Sequence, residues 1–324
     1  MLNRIGINNL KLLDRKILSL LEYNPRISLK ELSKECRVSK DTIKYRIKKL
    51  EEEKIILGYT IYIDYKRLGN FSYKLFLKIN SPSEKKEELK EFLRKQKNVF
   101  DIFDSTGRWN LAIAFFTPDI KEFNSFENSL LDLYGSFVST RRFCSMIDAE
   151  IYKRDFFQVL NDKRKEVFFL WKELNNREID EHDKKIIRIL HSNSRSSLVS
   201  ISEKVGLSID STKKRILKLK KEGIIPLFKT KINYEKLGFD QYKLLIFPKR
   251  YSNQTEEGLI NFFRKNKRCI NIIRTVGPWK LEAELLVQDS SEVEEILNNL
   301  NEEFGEYILD IEASIIRNEE IFSL

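Results

Sequence analysis

An internal duplication is the feature of this sequence that most restricts its fold. Residues 14–69 align with residues 183–238 at a constant offset of 169 without a gap, and 23 of the 56 aligned positions are identical. The offset then becomes 170, which aligns Gly107, Trp109, Leu111 and Gly135 with Gly277, Trp279, Leu281 and Gly305. One unit of structure therefore occurs twice, and one residue has been gained or lost in its second part.

Each copy of the unit opens with the pattern of three short helices. In the first copy, apolar residues recur at helical spacing over residues 10–24, and Pro25 ends that helix. Ser28 and Ser39 are suitable N-caps for a second and a third helix. The third helix lies in SKDTIKYRIKKLEEEK, and its counterpart lies in SIDSTKKRILKLKKEG at residues 208–223. Three short helices with a tight turn before the last are typical of a helix-turn-helix, and a strand at 59–65 is expected to form a small wing.

The rest of each copy predicts a mixed domain. In the first copy, strand and helix patterns follow the order βαββαβ, at residues 73–79, 83–96, 99–105, 110–116, 119–134 and 137–147. This order is typical of a ferredoxin-like sheet with helices on one face, so the fold class is α+β. The predicted domains are 1–69 (winged helix-turn-helix), 70–151 (ferredoxin-like), 152–178 (an aromatic-rich helical linker), 179–238 (second winged helix-turn-helix) and 239–324 (second ferredoxin-like domain).

Composition narrows the classes of protein that fit. The chain is 41% hydrophobic and 33% charged, and its apolar runs are too short to span a bilayer, so a cytoplasmic protein is expected. The three cysteines have no paired spacing, so we expect buried or idle thiols rather than a disulfide or a metal site. A net charge of +10 favours a polyanionic partner. No cofactor is expected.

With these residues in place, LLDRKILSLLEYNPRISLKELSKECRVSKDTIKYRIKKLEEEKIILGYTIYID and its second copy resemble the Lrp/AsnC family of feast/famine regulators. The Gly-x-aromatic elements at 107–109 and 277–279 extend the resemblance to the second domain of each copy. The resemblance implies a transcription factor of archaea or bacteria, whose helix-turn-helix binds DNA. Its ferredoxin-like RAM domain would dimerise and often bind an amino acid between subunits.

The family resemblance also directs attention to two loops as effector sites. Asn110 and Lys280 stand where the family usually has Asp, which argues against an amino acid in either copy. Trp109 and Trp279 could instead fill the interface core. The predicted residues for any small-molecule effector are Thr106, Gly107, Arg108, Asn110, Thr275, Gly277 and Lys280.

The third helix of each copy is the predicted DNA reader, because a helix-turn-helix places that helix in the major groove. Residues 39–54 carry six basic and four acidic side chains, and residues 208–223 carry six and two, so the second copy should bind phosphate more strongly. Ile209 and Leu217 could contact only a thymine methyl or another apolar surface. The predicted DNA-binding residues are Ser39, Lys40, Asp41, Thr42, Lys44, Tyr45, Arg46, Lys48, Ser208, Ser211, Lys213, Lys214, Arg215 and Lys218.

We expect the two halves to form an internal pseudo-dimer, with RAM domain paired to RAM domain, so that one chain presents both helices to double-stranded DNA. Two different readers should prefer an asymmetric or imperfectly palindromic site, with half-sites one or two helical turns apart. Whole chains could associate further into a larger homo-oligomer.

Two rival functions remain open. Siroheme decarboxylases share this architecture and bind a tetrapyrrole in the clefts of the sheet domains. Such an enzyme would need proton donors and anion-binding groups there, whereas His182 and His191 are expected to be surface or capping residues. The arginines that could hold carboxylates are Arg108, Arg141, Arg142, Arg264, Arg268 and Arg274. The other rival is a protein-interaction scaffold, and no catalytic residue is predicted.

Overall fold

The computed structural model describes residues 4–157, 159, 167–171 and 177–322 as two copies of one series of elements. The first half contains α1 (Leu12–Leu21), α2 (Leu29–Cys36), α3 (Lys40–Glu52), β1 (Ile56–Tyr62), β2 (Phe71–Ile79), α4 (Ser83–Arg94), β3 (Val99–Thr106), β4 (Leu111–Thr117), α5 (Ile120–Tyr134) and β5 (Val138–Tyr152). After β6 (Val167–Leu170), the second half contains α6 (Glu181–Ser192), α7 (Leu198–Val205), α8 (Ile209–Lys221), β7 (Leu227–Ile232), β8 (Asp240–Pro248), α9 (Asn253–Lys265), β9 (Cys269–Val276), β10 (Leu281–Val287), α10 (Ser290–Phe304) and β11 (Ile308–Ile321).

The predicted change of offset is confirmed and falls in one loop. β8 begins and ends 169 residues after β2, whereas β9, β10 and α10 lie 170 residues after β3, β4 and α5. Three residues, 80–82, connect β2 to α4, and four residues, 249–252, connect β8 to α9. The extra residue therefore lies in a surface connection, where an insertion disturbs neither the sheet register nor helix packing.

The helix-turn-helix prediction is confirmed in both copies. Ser28 caps α2 with a capping box, because its Oγ accepts from the backbone N of Glu31 and the Glu31 carboxylate accepts from the backbone N of Ser28. Ser39 caps α3 by accepting from the backbone N of Thr42 at 3.1 Å. The first helix is shorter than predicted, since α1 ends at Leu21, and residues 7–9 form a separate 3-10 turn.

A strand follows each third helix, as the winged helix-turn-helix prediction requires, and its pairing partner lies in the other half. β1 pairs with β7 of the other half in an antiparallel two-stranded ribbon. Tyr59 lies opposite Thr230 and Ile61 opposite Phe228, and these pairs are equivalent at the offset of 169. A pseudo-two-fold axis therefore passes between Thr60 and its partner in β7, Lys229. The sequence does not reveal this partner, because alternation identifies a half-buried strand but not the strand with which it pairs.

The two ferredoxin-like sheets close into one barrel. Each has the expected antiparallel order, β3-β4-β2-β5 and β9-β10-β8-β11. The edge strand β3 pairs with β11, and β9 pairs with β5, so the eight strands form a closed ring. Closure leaves neither sheet with a free edge at these strands and joins the two halves by backbone hydrogen bonds. The internal pseudo-dimer predicted from the repeat is therefore present.

Each helix-turn-helix domain packs on the sheet of the opposite half. The apolar core of α1–α3 continues into Leu237, Phe239 and Leu286 of the second half. The core of α6–α8 continues into Tyr65 and Phe116 of the first half. Each of these two cores therefore contains residues of both halves, so the halves interlock. Each helix-turn-helix domain depends on the opposite half to complete its core.

The predicted helical linker at 152–178 is wrong where the structure describes it. Tyr152 belongs to β5, which extends five residues beyond the predicted end of that strand. Val167–Leu170 is the strand β6 and pairs with the end of β5, since its β-branched and aromatic residues extend a sheet edge well. Residues 158, 160–166 and 172–176 of the predicted linker lie outside the described part. Among the described helices, none has the length and apolarity needed to cross a membrane.

Candidate DNA-binding surfaces and the axial cavity

The third helix of the first copy, α3, presents a charged face to solvent. Lys48 and Lys49 of this face form ion pairs one turn along the helix, with Glu52 at 3.5 Å and Glu53 at 3.6 Å. Two lysines of α3 are therefore partly neutralised within the helix. The side chains predicted to point outward are all exposed: Lys40, Asp41, Lys44, Tyr45 and Lys48.

The corresponding face of α8 is also exposed but is more basic and more apolar. No lysine of α8 forms an ion pair with any residue that the structure describes. Lys221 stands where α3 has Glu52, which replaces a carboxylate with an ammonium group. Ile209 is 46% exposed and Leu217 is 53% exposed. The exposed lysines are Lys213, Lys214, Lys218, Lys220 and Lys221.

The two arginines predicted to contact DNA are engaged inside the protein. The Arg46 guanidinium donates to both carboxylate oxygens of Asp14, and the Arg46 side chain is 12% exposed. Arg215 pairs with Asp180 at 2.8 Å and with Asp183 at 2.9 Å. These pairs connect each third helix to the beginning of the first helix of its copy. DNA contact by the arginines remains a prediction, and their geometry weighs against it.

The hydroxyl groups predicted to meet phosphate lie at the N-termini of the two third helices. Ser39 Oγ lies 2.9 Å from Thr42 Oγ1, and Ser208 Oγ accepts from the backbone N of Ser211 at 3.2 Å. Both capping serines are exposed, so their hydroxyl hydrogens can still reach an anion.

A cavity of about 460 Å³ lies between the β1–β7 ribbon and one end of the barrel. We call it the axial cavity, because Thr60 and Lys229 on the pseudo-two-fold axis line it. Its roof also includes Glu22 and His191, at the ends of α1 and α6. Its floor includes residues of the barrel strands, namely Lys74, Asp101, Lys243, Asn271, Glu284 and Glu319.

Buried ion pairs lie below this floor, and one of them joins the two halves. Lys74 of β2 donates to Glu282 of β10 at 2.7 Å, and Lys243 lies 3.2 Å from Glu282 and 2.6 Å from Glu284. Burial would raise the pKa of Glu282, but the two ammonium groups outweigh burial and lower it to about 2. Glu282 is therefore ionised, and Trp279 Nε1 also donates to it at 3.2 Å.

The two histidines do not share the surface position that we expected. His191 is only 8% exposed and lines the axial cavity, so its assignment as a surface or capping residue is wrong. Burial and the neighbouring Lys231 lower the pKa of His191 to about 4. His182 is half-buried, with Nδ1 3.2 Å from the carbonyl of Val205. The position of His191 depends on the pairing of β1 with β7, which the sequence of one copy does not reveal.

Comparisons with known proteins bear on both surfaces. A family model described as winged helix-turn-helix DNA-binding matches residues 10–56 and again residues 179–225. An uncharacterised HTH-type transcriptional regulator of Pyrococcus furiosus is 32% identical over 144 residues, which span 44% of this chain and 94% of that protein. The HTH-type transcriptional regulator FL11 of Pyrococcus horikoshii is 29% identical over 141 residues, spanning 44% of this chain and 90% of that protein. Each relative thus corresponds in length to about half of this chain.

The chain belongs to the Lrp/AsnC family of transcriptional regulators. It carries the two-domain unit of that family twice and is a DNA-binding regulator. The siroheme decarboxylase NirDL has a similar fold, with a TM-score of 0.62 over 95% of this chain and 92% of that chain. At 13% identity, this likeness concerns the fold alone.

The Gly-x-aromatic loops of this Lrp/AsnC protein are packed against the opposite half. A Cβ on Gly107 would lie 2.9 Å from the carbonyl oxygen of Ala313, and a Cβ on Gly277 would lie 2.8 Å from the Cβ of Cys144. Both glycines are therefore required by a close approach between the halves. Trp109 and Trp279 are fully buried, which confirms that they fill the interface core.

The polar residues of these loops have structural partners. The Asn110 side chain accepts from the backbone N of Ile79 and donates to its carbonyl, each at 2.8 Å. Arg108 pairs with Glu312 at 2.8 Å, and Thr275 donates to the Trp279 carbonyl at 2.8 Å. Effector binding at Thr106, Gly277 and Lys280 remains a prediction. The axial cavity is a candidate site that the sequence did not indicate. Its residues Lys229 and Lys231 alternate with buried residues in β7, so the sequence pattern alone suggests that they face solvent.

Proposed function

We propose that this regulator reads DNA as an internal pseudo-dimer, with α3 and α8 contacting two unequal half-sites of one operator. The observation that carries the proposal is the β1–β7 ribbon, which relates the two third helices by a pseudo-two-fold axis while each keeps an exposed basic face. Lrp/AsnC relatives of half this length would need two chains for the same arrangement. Here one chain supplies two different readers.

Lysines on the two outward faces are the proposed phosphate and base contacts. Lysine can donate to guanine edges or to phosphate oxygens, and Tyr45 adds a hydroxyl on α3. On α8, Ile209 and Leu217 would favour thymine methyl groups. The half-sites would therefore differ in base preference, and their centres would lie one or two helical turns apart. The proposed lysines are Lys40, Lys44, Lys48, Lys213, Lys214 and Lys218.

Selection of binding sites from random duplex DNA tests this proposal. We expect a bipartite site whose two halves have different consensus sequences. Repeating the selection with Lys213→Ala plus Lys214→Ala should erase the preference in one half-site and leave the other unchanged. Selection of a perfect palindrome by the unaltered protein would contradict two unequal readers.

We also propose that the chain is not a tetrapyrrole enzyme, although it shares its fold with one. Arginines that could hold tetrapyrrole carboxylates already pair with carboxylates of the protein. Arg264 lies 2.9 Å from Glu150, and Arg274 bonds to Asp148 and Glu256. The relatives at 29–32% identity are named as transcriptional regulators, which supports the same conclusion. Titrating siroheme with the protein should leave the absorption spectrum of siroheme unchanged. A shifted spectrum would contradict this proposal and support a tetrapyrrole enzyme.

A further inference from the structure

The roof of the axial cavity contains two ammonium groups, those of Lys229 and Lys231. Lys229 Nζ lies 5.6 Å from the ring centroid of Tyr23 and 5.7 Å from that of Tyr62. Neither Lys229 nor Lys231 forms an ion pair with any residue in the described ranges. Burial lowers the pKa of Lys231, since its charge is poorly solvated there. Glu319 acts to raise the pKa of both lysines from beyond ion-pair distance, and Glu22 does so for Lys229, so the direct contact with each ammonium group is open to an anionic group of a ligand.

Unpartnered polar atoms around the same cavity provide an independent observation. Among the residues that the structure describes, the buried Nε2 of His191, which is 8% exposed, has no hydrogen-bond partner. Asp101 and Asn271, at equivalent positions of β3 and β9, each have a buried Oδ1 that likewise has no partner in the described ranges. Buried polar atoms are normally satisfied, and these line one cavity. The floor therefore offers oxygen acceptors to a molecule that carries hydrogen-bond donors.

We propose that the axial cavity is a binding site for a small polar metabolite, with a carboxylate or phosphate held at the roof by Lys229 and Lys231, and hydroxyl or ammonium donors directed to Asp101 and Asn271. The volume of about 460 Å³ lies within the range of small-molecule pockets. Tyr23 and Tyr62 would pack against the body of the ligand. This site is separate from the Gly-x-aromatic loops, none of whose residues lines the cavity.

The position of the cavity gives its occupant a route to the DNA-binding helices. The same space touches the β1–β7 ribbon, the ends of α1 and α6, and the barrel. A ligand that draws the lysines of β7 toward the floor would change how the ribbon sits on the barrel. The two helix-turn-helix domains would shift with it, because Thr230 Oγ1 donates to the Leu21 carbonyl and Thr60 Oγ1 to the His191 carbonyl. This regulatory step rests on the proposed function, whereas ligand binding itself does not.

Calorimetric titration of the full chain with two probes tests the site. D-glycerate supplies a carboxylate with hydroxyl groups, and glycerol 3-phosphate supplies a phosphate with hydroxyl groups. We expect at least one probe to bind, and the stronger one identifies the anion. Lys229→Met and Asn271→Leu should each weaken binding about tenfold or more. The matched control Lys249→Met, at an exposed position of the connection between β8 and α9 and outside the cavity, should bind as the unaltered protein does.

Two further measurements keep the outcome decisive. The thermal transition of Lys229→Met without ligand, compared with that of the unaltered protein, separates lost binding from lost folding. DNA affinity should change when the bound probe is present. Absence of binding by both probes at about 20 mM, or equal affinity in Lys229→Met, would overturn the site. Probe binding with unchanged DNA affinity would overturn only the regulatory step, and absence of DNA binding altogether would refute the proposed function instead.

Discussion

The helices α3 and α8 have the same length, the same serine cap and the same three buried positions, yet their exposed charges differ. In α3, Lys48 and Lys49 are paired with carboxylates one turn away. In α8, the position of Glu52 is occupied by Lys221, and the lysines have no ion-pair partner among the described residues. Packing restricts the buried positions, which keeps the fold of the two copies alike, whereas the exposed positions are free to differ in charge.

The same contrast extends to the interior of the barrel, where the second half supplies the two buried glutamates that pair with Lys74 and Lys243. Glu282 and Glu284 of β10 occupy the positions of Ala112 and Ala114 in β4, whereas a lysine is present at 74 and at 243 in both halves. Both lysines of the barrel are thus neutralised mainly by one half. A homodimer of the first half would lack both glutamates, and a homodimer of the second half would bring four glutamates to two lysines, so only the combination of unlike halves balances these charges.

Removing the shared carboxylate should have the largest effect on this asymmetric arrangement. Glu282→Gln would leave Lys74 and Lys243 with one acidic partner between them in a buried site, and breaking such a pair costs about 3–5 kcal/mol. We expect a loss of this size in the free energy of unfolding, measured by urea denaturation. Glu303→Gln, at an exposed position of α10, is the matched control and should change stability little. A loss below about 1 kcal/mol would show that the ion cluster does not hold the halves together.

Glu22 and His191 occupy equivalent positions of the two halves and should have opposite pH dependences. Burial raises the pKa of Glu22 from 4.5 to about 7, against opposing contributions from Tyr234, Lys229, Tyr23 and Lys153. Between about pH 4.5 and 7 the unfolded chain releases this proton and the folded chain keeps it, so the stability contributed by Glu22 falls by about 3 kcal/mol as pH rises.

The His191 contribution runs the other way. Its pKa falls from 6.5 to about 4 through burial and Lys231, so between about pH 6.5 and 4 only the unfolded chain takes up a proton, and about 3 kcal/mol is lost as pH falls. The two slopes should nearly cancel in the unaltered protein. Glu22→Gln should therefore show stability rising from pH 4 to 6.5, and His191→Gln should show it falling from pH 4.5 to 7, in denaturation curves at matched ionic strength. Parallel pH profiles of stability for the two variants would contradict the opposite pH dependences of Glu22 and His191.

Sequence reasoning succeeded where a local pattern determines structure. Repeat alignment, helical spacing and the serine caps predicted both helix-turn-helix domains and both ferredoxin-like sheets. It failed where long-range pairing decides, because the alternation in β1 and β7 does not show that each pairs with the other. Without that pairing, His191 and Lys229 look exposed and the axial cavity cannot be found. The aligned lysines at 74 and 243, each inside an apolar strand, were the available signal for a charged interior.

The smallest expected effect concerns the comparison of α3 with α8 on DNA. Lys213→Ala plus Lys214→Ala removes two ammonium groups from α8, and the equivalent change in α3, Lys44→Ala plus Tyr45→Ala, removes only one. Each lost phosphate contact lowers the salt dependence of binding by about one unit, so the slope should fall by about two units in the first variant and about one in the second. The corresponding affinity losses are roughly 1–2 kcal/mol, measured by fluorescence anisotropy from about 50 to 200 mM salt.

An unchanged slope in the α8 variant would mean that α8 does not lie on DNA. Its exposed Ile209 and Leu217 would then favour a protein-contacting role for the second copy, with α3 as the single reader.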